Sequence, residues 1–589
     1  MAEGLPTNRQ VADRLRLIGD LLELEGAVRH RVLAYRRAAA RIRSTTTSVA
    51  EMAMKGRAID LPDIGATLQA KIVELVETGD IAALAKLRDR VPVGLAEVAR
   101  LEGIGPKRAT ALWGELGVAS VDDLAAALAD GRVRGVPGFG AATEARLAGE
   151  LARYAAAEAD GEERVPIGRA LPVAEEIARD LREAVPGSVV EVAGSLRRGR
   201  ESVHDIDIVA ASDRPGDLQD ALAAHPAVER ELTRGDAGVS VATHAGVRLE
   251  LAVGPPASFG NLLQHATGSA AHNIRLRELA VRQGLSVSQH GILGPDGERR
   301  AHADEAGVYA ELGLHLVPPE LREDRGEIEA AREGPLPALV ERGDLRGDLH
   351  SHTRWSDGTQ TIAQMVEAAR ARGYAYLAVS DHSQSLAMAG GLDPDRVRRQ
   401  WEEIDAENAR RDDIVVLKAT EVDILADGRL DFDDELLAGF DWVTASIHSA
   451  FTQDGERLTA RVLRALASPF VDVIGHPTGR MLGRRGHAPV DVAALSAAAA
   501  GSGTYLEVNA QPQRLDLDSD MARQALAAGA RITIGSDAHS GGAFDLIRFG
   551  VLVARRAGAR AEDVGNARPW TELAAARASR LAAAGLAGQ

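Results

Sequence analysis

The feature that most restricts the fold of this chain is a series of seven short apolar runs after Leu345, each separated from the next by a segment of helical pattern. The runs are RGDLH, YLAVS, IVVLKA, DWVTAS, VDVIGH, TYLEVNA and RITIGS. Strand-like runs that alternate with helices build parallel sheets. Seven such units fit a distorted relative of the eight-unit barrel, in which chemistry gathers at the carboxyl ends of the strands. The sequence therefore predicts a distorted (β/α)7 barrel in residues 344–589.

Side chains of metal-ligand type fall where these strands end. There are nine of them: His350, His352, Asp357, His382, Glu421, His448, His476, Asp537 and His539. In HSH and DAH the two polar side chains are two residues apart, so an extended backbone points both to one side. A single histidine at a strand end is more often a hydrogen-bonded structural residue, but that reading does not explain nine together. We therefore predict one pocket that holds two or three metal ions.

The composition narrows the choice of metal. The chain has no cysteine, which excludes disulfides and thiolate-ligated zinc and fits a reducing, cytoplasmic environment. Mixed imidazole and carboxylate ligands suit Mn²⁺, Zn²⁺ or Fe. Such a cluster activates a water molecule and neutralises phosphate charge during in-line attack. The predicted reaction is phosphoester hydrolysis.

The motifs around these ligands are specific to one family. DLHSHTRWSDG, SDHS, EVDIL, SIHS, IGHPTGR and GSDAHS, from about Leu345 to Gly550, resemble the PHP (polymerase and histidinol phosphatase) family. The resemblance implies that the nine residues are metal ligands, with Asp357 at a position that is His in some relatives. It also implies a manganese-dependent 3′–5′ exonuclease, with phosphate or abasic-site removal as further activities of the same cluster.

A second acidic motif lies upstream, in HDIDIVAA. Asp205 and Asp207 are two positions apart on a predicted strand and therefore face the same way, as a pair that holds two Mg²⁺ or Mn²⁺ ions would. Alone, such a pair is more often an exposed acidic sheet edge. The preceding GSLRRG changes this interpretation, because its turn would close around a triphosphate while Arg198 supplies charge-assisted hydrogen bonds.

Together with the later ATGSAAHNIRLR, these motifs resemble the palm and thumb of family X DNA polymerases, from about Glu23 to Glu323. The resemblance implies that Glu250 is the third metal carboxylate. It implies nucleotide contacts by Arg164, Gly194, Ser195, Arg198, Gly268, Asn273 and Arg277.

The chain departs from that family at two places. The third carboxylate is usually Asp and here is Glu250, and the aromatic pair before TGS is here His265 and Ala266. Glu is one methylene longer and Mg²⁺ tolerates displaced ligands poorly, so we expect slow nucleotide incorporation or a preference for Mn²⁺. We also expect weaker rejection of ribonucleotides.

Three glycine turns precede helical patterns in the N-terminal part, in LPDIG, LEGIGPKRA and VPGFGAA. Their glycines are Gly65, Gly103, Gly105, Gly138 and Gly140. A glycine turn lets the backbone approach a phosphate, and the following helix start binds it without reading sequence. One such turn is usually a plain helix connection, but three in series resemble helix-hairpin-helix units. Lys71 follows the first turn, where it is either a phosphate contact or a Schiff-base lyase nucleophile.

Charge and length complete the outline. The net charge of −17 argues against nucleic-acid binding, but a basic run between Arg29 and Arg43 shows that the charge is unevenly distributed. No apolar run suits a membrane span and the N-terminus lacks signal-peptide features. We expect these domains: 1–88, helical DNA-binding or lyase-like; 89–160, helix-hairpin-helix; 161–256, nucleotidyltransferase palm of α+β type; 257–320, thumb; 321–343, linker; and 344–589, PHP barrel.

The preferred hypothesis is a bacterial or archaeal type of family X polymerase with a C-terminal PHP domain, which fills gapped or nicked DNA with dNTPs and trims 3′ ends in repair. One alternative keeps the nuclease and treats the polymerase half as an impaired, DNA-positioning module. Another is a small-molecule phosphatase such as a histidinol phosphatase. The sequence leaves open protein partners and the oligomeric state, with a monomer as one option.

Overall fold

The computed structural model describes residues 5–101, 103–159 and 164–586. It divides into two compact units. The first unit comprises Met1–Leu196, Ser202–Thr267 and Gly284–Val308, and the second comprises Arg197–Glu201, Gly268–Gln283 and Tyr309–Gln589. Among the described helices, none combines the length and apolar character that crossing a membrane requires.

The first unit begins with short helices that share one apolar core. They are α1 (Asn8–Leu24), α2 (Arg29–Ser44), α3 (Val49–Met54), α4 (Ala66–Thr78), α5 (Ala82–Arg88), α6 (Leu95–Arg100), α7 (Gly105–Leu116), α8 (Val121–Ala129) and α9 (Ala141–Ala159). Thr7 begins α1 with a capping box, in which its side chain accepts from the Gln10 backbone N–H. Val11, Leu15 and Ile18 of α1 are fully buried at helical spacing. The prediction of a helical N-terminal region is confirmed.

A small α+β region follows. Its elements are β1 (Val165–Pro166), α10 (Ile167–Ala184), β2 (Val189–Val192), α11 (Gly194–Arg197), β3 (Ser202–Val203), β4 (Asp205–Ala211), α12 (Pro215–Ala223), β5 (Val228–Gly235), β6 (Gly238–Thr243) and β7 (Arg248–Gly254). The five-stranded sheet has the order β2-β4-β7-β6-β5. Ile206 and Ile208 of β4 are buried, which leaves the intervening Asp207 on the opposite, accessible face.

The chain then continues through α13 (Phe259–Thr267), α14 (Ala270–Arg282), β8 (Ser286–Ser288), β9 (Gly291–Leu293), β10 (Arg299–Arg300), α15 (Glu305–Glu311) and α16 (Glu327–Glu333). Residues 321–343, expected to be a linker, are folded in the second unit and include α16. Glu327 of that helix accepts a 2.6 Å hydrogen bond from His272 Nδ1, and Arg322 is fully buried with its Nε donating to the Val317 carbonyl. The polar composition that suggested a linker thus reflects charges that are paired inside the fold.

The rest of the second unit is the barrel. Its strands are β11 (Gly347–Asp348), β12 (Tyr376–Val379), β13 (Val415–Asp423), β14 (Trp442–Ser446), β15 (Val473–Ile474), β16 (Tyr505–Asn509) and β17 (Ile532–Gly535). Its helices are α17 (Ile362–Arg370), α18 (Pro394–Asn408), α19 (Asp434–Ala438), α20 (Gly455–Leu466), α21 (Val492–Ser502), α22 (Ser519–Ala527), α23 (Ile547–Ala557) and α24 (Trp570–Ala583).

The seven barrel strands pair in sequence order and all are parallel. A parallel bridge between Ser351 and Ala538 joins the ends of the first and last strands, so the barrel is nearly closed. Trp442 and Tyr376 are buried as expected for strands that are covered on both sides. The prediction of a distorted (β/α)7 barrel is confirmed, and its strand ends face one pocket.

Candidate metal centre and nucleotide site

Glu421, on β13, lies at the centre of the barrel pocket, where its carboxylate lies within 3.4 Å of four imidazoles. Its Oε1 is 2.8 Å from His476 Nε2 and 3.2 Å from His448 Nε2. Its Oε2 is 2.8 Å from His382 Nδ1 and 3.4 Å from His350 Nε2. These groups come from the ends of five different strands, so only the closed barrel brings them together.

The remaining predicted ligands complete the pocket on the side of β17. His352 Nε2 is 3.2 Å from Asp537 Oδ1, and His539 Nε2 is 3.3 Å from Asp357 Oδ1. Three overlapping groups have ligand atoms within 4.8 Å of one another: His352, Asp357, His382 and His539; His350, His352 and Asp537; and His382, Glu421 and His448. The structure thus brings all nine residues into one pocket, and His476 joins it through Glu421.

Two carboxylates that the sequence analysis did not single out hold the ligands in place. Glu507 on β16 accepts a 2.6 Å hydrogen bond from His350 Nδ1 and another from the His476 backbone N–H. Asp423 accepts a 2.6 Å hydrogen bond from His448 Nδ1. The bonds from Nδ1 of His350 and of His448 fix these two imidazoles so that the Nε2 of each faces the pocket. The signal was present, since Glu507 is a charged residue inside the apolar run TYLEVNA.

The electrostatics of the pocket favour the metal-binding forms of Glu421 and His352. Burial raises the pKa of the Glu421 carboxyl, but the nearby His448 and His350 outweigh burial and hold that pKa well below its usual range. Burial, together with His382, lowers the pKa of His352 to about 4. An ionised carboxylate and a neutral imidazole are the forms that donate electron pairs to a cation. At His350 and His448, by contrast, burial lowers the pKa but the nearby carboxylates outweigh burial and raise it.

The donor set fits divalent metal ions. Within the described part of the chain, several buried imidazole nitrogens make no hydrogen bond of good geometry, although a carboxylate oxygen lies within 3.4 Å of three of them. They are His350 Nε2, His352 Nδ1 and Nε2, His382 Nδ1 and His476 Nδ1. Buried polar atoms are rarely left unsatisfied, because each costs free energy. Nitrogen and carboxylate donors without thiolate match Mn²⁺, Zn²⁺ or Fe. The barrel pocket is therefore able to bind metals.

The second acidic site lies on the sheet of the first unit. Asp205 and Asp207 point from β4 to one face, and Asp207 is in register with Glu250 on the parallel neighbour β7. Glu250 Oε1 is 2.5 Å from Nη2 of Arg248, so its charge is already paired. The cleft beside these residues has a volume of about 510 Å³ and is lined by Ala266 among others.

Gly194 approaches the second acidic site so closely that no side chain fits there. Its φ is +62°, and a Cβ would collide with the Asp207 carboxylate. Ser195 follows it in α11. Arg164 lies in the same unit, where its Nε donates to Ser202 Oγ at 3.0 Å and its Nη1 contacts His204 Nε2 at 2.5 Å.

The other predicted nucleotide contacts belong to the second unit. Arg198 lies beside Gly268, where a Cβ would meet the Arg198 Nη1 at 3.1 Å. Asn273 and Arg277 lie one turn apart on α14, with Arg277 exposed. Their role in nucleotide binding stays a prediction.

The three glycine turns lie where the sequence predicted them, each directly before a helix. Gly103, Gly105 and Gly138 have φ of +87°, +67° and +86°, a conformation that glycine adopts without strain. Gly65 and Gly140 directly precede α4 and α9.

The sequence analysis singled out two basic features of the first unit, Lys71 and the basic run of α2. Lys71 is half-buried on α4, and its lyase role stays a prediction. The basic run of α2 is partly neutralised, since Arg36 pairs with Asp20 at 2.8 Å and with Glu23 at 2.5 Å.

Family comparisons cover most of the chain in separate segments. Residues 6–81 match the helix-hairpin-helix domain family, 95–153 the SAM-like helix-hairpin-helix tandem, 262–323 the DNA polymerase beta thumb, and 348–511 the PHP domain. A rat (Rattus norvegicus) protein, DNA polymerase lambda, is 24% identical over 48% of this chain and 49% of its own length. A probable phosphatase of Thermoanaerobacter sp. (strain X514) is 28% identical over 34% of this chain and 81% of its own length.

One relative spans nearly the whole chain. The DNA polymerase/3′–5′ exonuclease PolX of Bacillus subtilis (strain 168) is 37% identical over 564 residues, which is 95% of this chain and 97% of that protein. At that coverage the match extends over the helical region, the sheet and the barrel. The chain therefore belongs to the bacterial PolX family, with helix-hairpin-helix, polymerase and PHP domains.

Proposed function

We propose that the chain is a DNA repair polymerase that fills gaps with dNTPs and removes nucleotides from 3′ ends at its PHP centre. The observation that carries the proposal is that two separate acidic sites exist, Asp207 in register with Glu250 on the sheet and the cluster around Glu421 in the barrel. Nucleotide addition to a 3′-hydroxyl and hydrolysis of a phosphodiester are different reactions, and a separate metal site for each fits this arrangement. The name of the Bacillus subtilis relative, DNA polymerase/3′–5′ exonuclease, supports the pairing.

In the polymerase half, Asp205, Asp207 and Glu250 would hold Mg²⁺ or Mn²⁺. Two such ions, when bound, align a 3′-hydroxyl with the α-phosphate of a dNTP and screen the charge that develops. Gly194 leaves the space that the Asp207 carboxylate occupies. Arg198 supplies a guanidinium for the triphosphate, whose charge it neutralises by directed hydrogen bonds.

In the PHP half, the nine ligands would hold two or three Mn²⁺, Zn²⁺ or Fe ions, at positions that the three overlapping ligand groups share. Such ions, when bound, polarise a phosphoryl oxygen and make a water molecule more acidic. Glu507 and Asp423 keep His350 and His448 oriented through their Nδ1 atoms. The residues of the pocket thus fix the ligand geometry before substrate arrives, and the DNA 3′ end is the substrate that we propose.

A labelled gapped duplex with dNTPs and Mg²⁺ or Mn²⁺ tests both halves. We expect Asp207→Ala to abolish extension and leave 3′–5′ degradation, and His352→Ala to have the opposite effect. Asp217→Ala, at an exposed position of α12 in the same unit, serves as the control. Loss of both activities in either variant, with folding intact, would contradict two separate sites.

One observation favours a second candidate, a nuclease whose polymerase half only positions DNA. Arg248 neutralises Glu250 at 2.5 Å and therefore competes with a metal ion for that carboxylate. If the purified protein fails to extend a gapped primer with either metal but degrades its 3′ end, this candidate replaces the first.

A further inference from the structure

A short segment of the polymerase sequence, Arg197–Glu201, is held by arginines of the barrel in the second unit. Arg556 Nη1 on α23 donates a 2.6 Å hydrogen bond to the Arg198 carbonyl oxygen. Gly199 packs flat against the same helix, since a Cβ there would meet Leu552 at 3.3 Å. Helix α23 therefore holds the backbone of this segment by a hydrogen bond and packs closely against it at Gly199.

A buried carboxylate ties the Arg198 side chain to the same helix. Glu323 Oε1 accepts from Arg198 Nε at 3.2 Å and from Arg556 Nη1 at 3.0 Å. The side chains of Arg198, Glu323 and Arg556 are only 12%, 13% and 5% exposed. Burial raises the pKa of Glu323, but Arg556 and Arg198 outweigh burial and lower it. Because buried charges need their partners, each of the three side chains restricts the other two.

The helix that carries Arg556 is rigidly docked on the barrel. Gly550 allows α23 to approach β17, since a Cβ would crowd the Ile534 side chain and the Ala510 Cβ. The Arg523 side chain of α22 donates to the Arg556 carbonyl oxygen. Arg556 therefore projects from a fixed element rather than from a loop, which is what positioning another side chain requires.

The far end of the segment is held in the same manner. Arg480, in the loop after β15, is 5% exposed, and its Nη2 donates to Glu201 Oε2 at 2.8 Å. Its Nε donates to the Arg514 carbonyl oxygen at 2.7 Å. Barrel arginines thus contact both ends of Arg197–Glu201.

We propose that Arg556 is a positioning residue for nucleotide binding, which acts through Glu323 and the Arg198 backbone to hold the Arg198 guanidinium where a dNTP triphosphate would meet it. This inference rests on the polymerase function proposed above. It gives the PHP barrel a role in positioning Arg198 within the second unit, in addition to its own chemistry.

The test compares Arg556→Ala and Glu323→Gln with Arg555→Ala in the full-length protein. Arg555 is the matched control, because it is a half-buried arginine of the same turn whose guanidinium pairs with Glu320 rather than with Glu323. The measurements are KM and kcat for dATP on a gapped duplex, equilibrium binding of Mg²⁺-dATP without primer, 3′–5′ degradation and the melting temperature. Arg556→Lys keeps the charge but not the forked donors, and supplies a folded variant if Arg556→Ala unfolds.

We expect Arg556→Ala and Glu323→Gln to raise KM and the dissociation constant for dATP about tenfold, with kcat less affected and degradation unchanged. For Arg556→Lys, both constants should lie between those of Arg556→Ala and those of wild type. For Arg555→Ala, both should equal the wild-type values. Unchanged dATP affinity in folded Arg556→Ala or Arg556→Lys overturns the inference, as does an equal loss of both activities. If wild type binds dATP but does not extend primers, the proposed function fails while the binding comparison still decides the inference; if wild type does not bind dATP, both fail.

Discussion

The two acidic sites of this chain differ in how they hold their carboxylates. Glu421 of the barrel is 1% exposed and lies within 3.4 Å of four histidines, whereas the Glu250 side chain of the sheet is 45% exposed and pairs with one arginine. A buried charge without partners costs free energy, so the barrel ligands are oriented by a further layer that includes Glu507. The exposed acids are placed mainly by strand register. The buried carboxylate thus lies in a network of partners and supporting residues, whereas the exposed carboxylates are placed with few side-chain partners.

The largest effect is expected at the buried site, from a substitution of Glu421. Glu421→Gln removes the charge shared by the imidazoles, and we expect 3′–5′ degradation to fall at least about a thousandfold. Metal content after dialysis, measured by mass spectrometry, should fall in parallel, while primer extension remains. Glu402→Gln, an exposed glutamate on α18, is the control. Retention of metal and degradation by Glu421→Gln would show that this carboxylate is not a ligand.

The next prediction concerns the exposed site, where the backbone of Gly194 packs against the Asp207 carboxylate. Gly194→Ala places a Cβ against the Asp207 carboxylate, and we expect primer extension to fall about a hundredfold because the carboxylate moves. Gly187→Ala is a matched control, since Gly187 also has a positive φ, +88°, but has open space around it. Equal losses in both variants would attribute the effect to backbone strain instead.

A smaller effect is expected from the layer behind the barrel ligands. Glu507→Gln keeps the size of the side chain but weakens its hydrogen bond to His350 Nδ1, so metal affinity should fall roughly 10- to 100-fold. Titration of the metal-free protein with Mn²⁺, followed by degradation assays, measures this. Saturating Mn²⁺ should restore most of the activity. If affinity is unchanged, the orientation of His350 does not depend on Glu507.

The same contrast explains what the sequence predicted. Residues that end an apolar strand, such as His350 and His476, are visible because strand ends of a parallel barrel converge. Glu507 was missed because it lies inside a strand, where only the closed barrel shows that it faces His350. In the sheet, the spacing of Asp205 and Asp207 predicts their common face, but the pairing of Glu250 with Arg248 depends on side-chain conformation. Residues 321–343 were expected to be a linker because hydropathy does not record the pairing of charges across the fold.

The smallest expected effect concerns Arg248 in the exposed site, where it competes with a metal ion for the Glu250 carboxylate. Arg248→Ala frees the Glu250 carboxylate, so we expect the Mg²⁺ concentration needed for half-maximal primer extension to fall about three- to tenfold, the amount that one partly exposed ion pair contributes. Glu250→Asp shortens the side chain and withdraws it from Arg248, so it should shift the metal preference from Mn²⁺ toward Mg²⁺. Arg230→Ala, on the edge strand β5 of the same sheet, removes an equal charge two strands away from Glu250. A similar gain in Arg230→Ala would mean that general electrostatics, rather than competition for Glu250, sets the metal requirement.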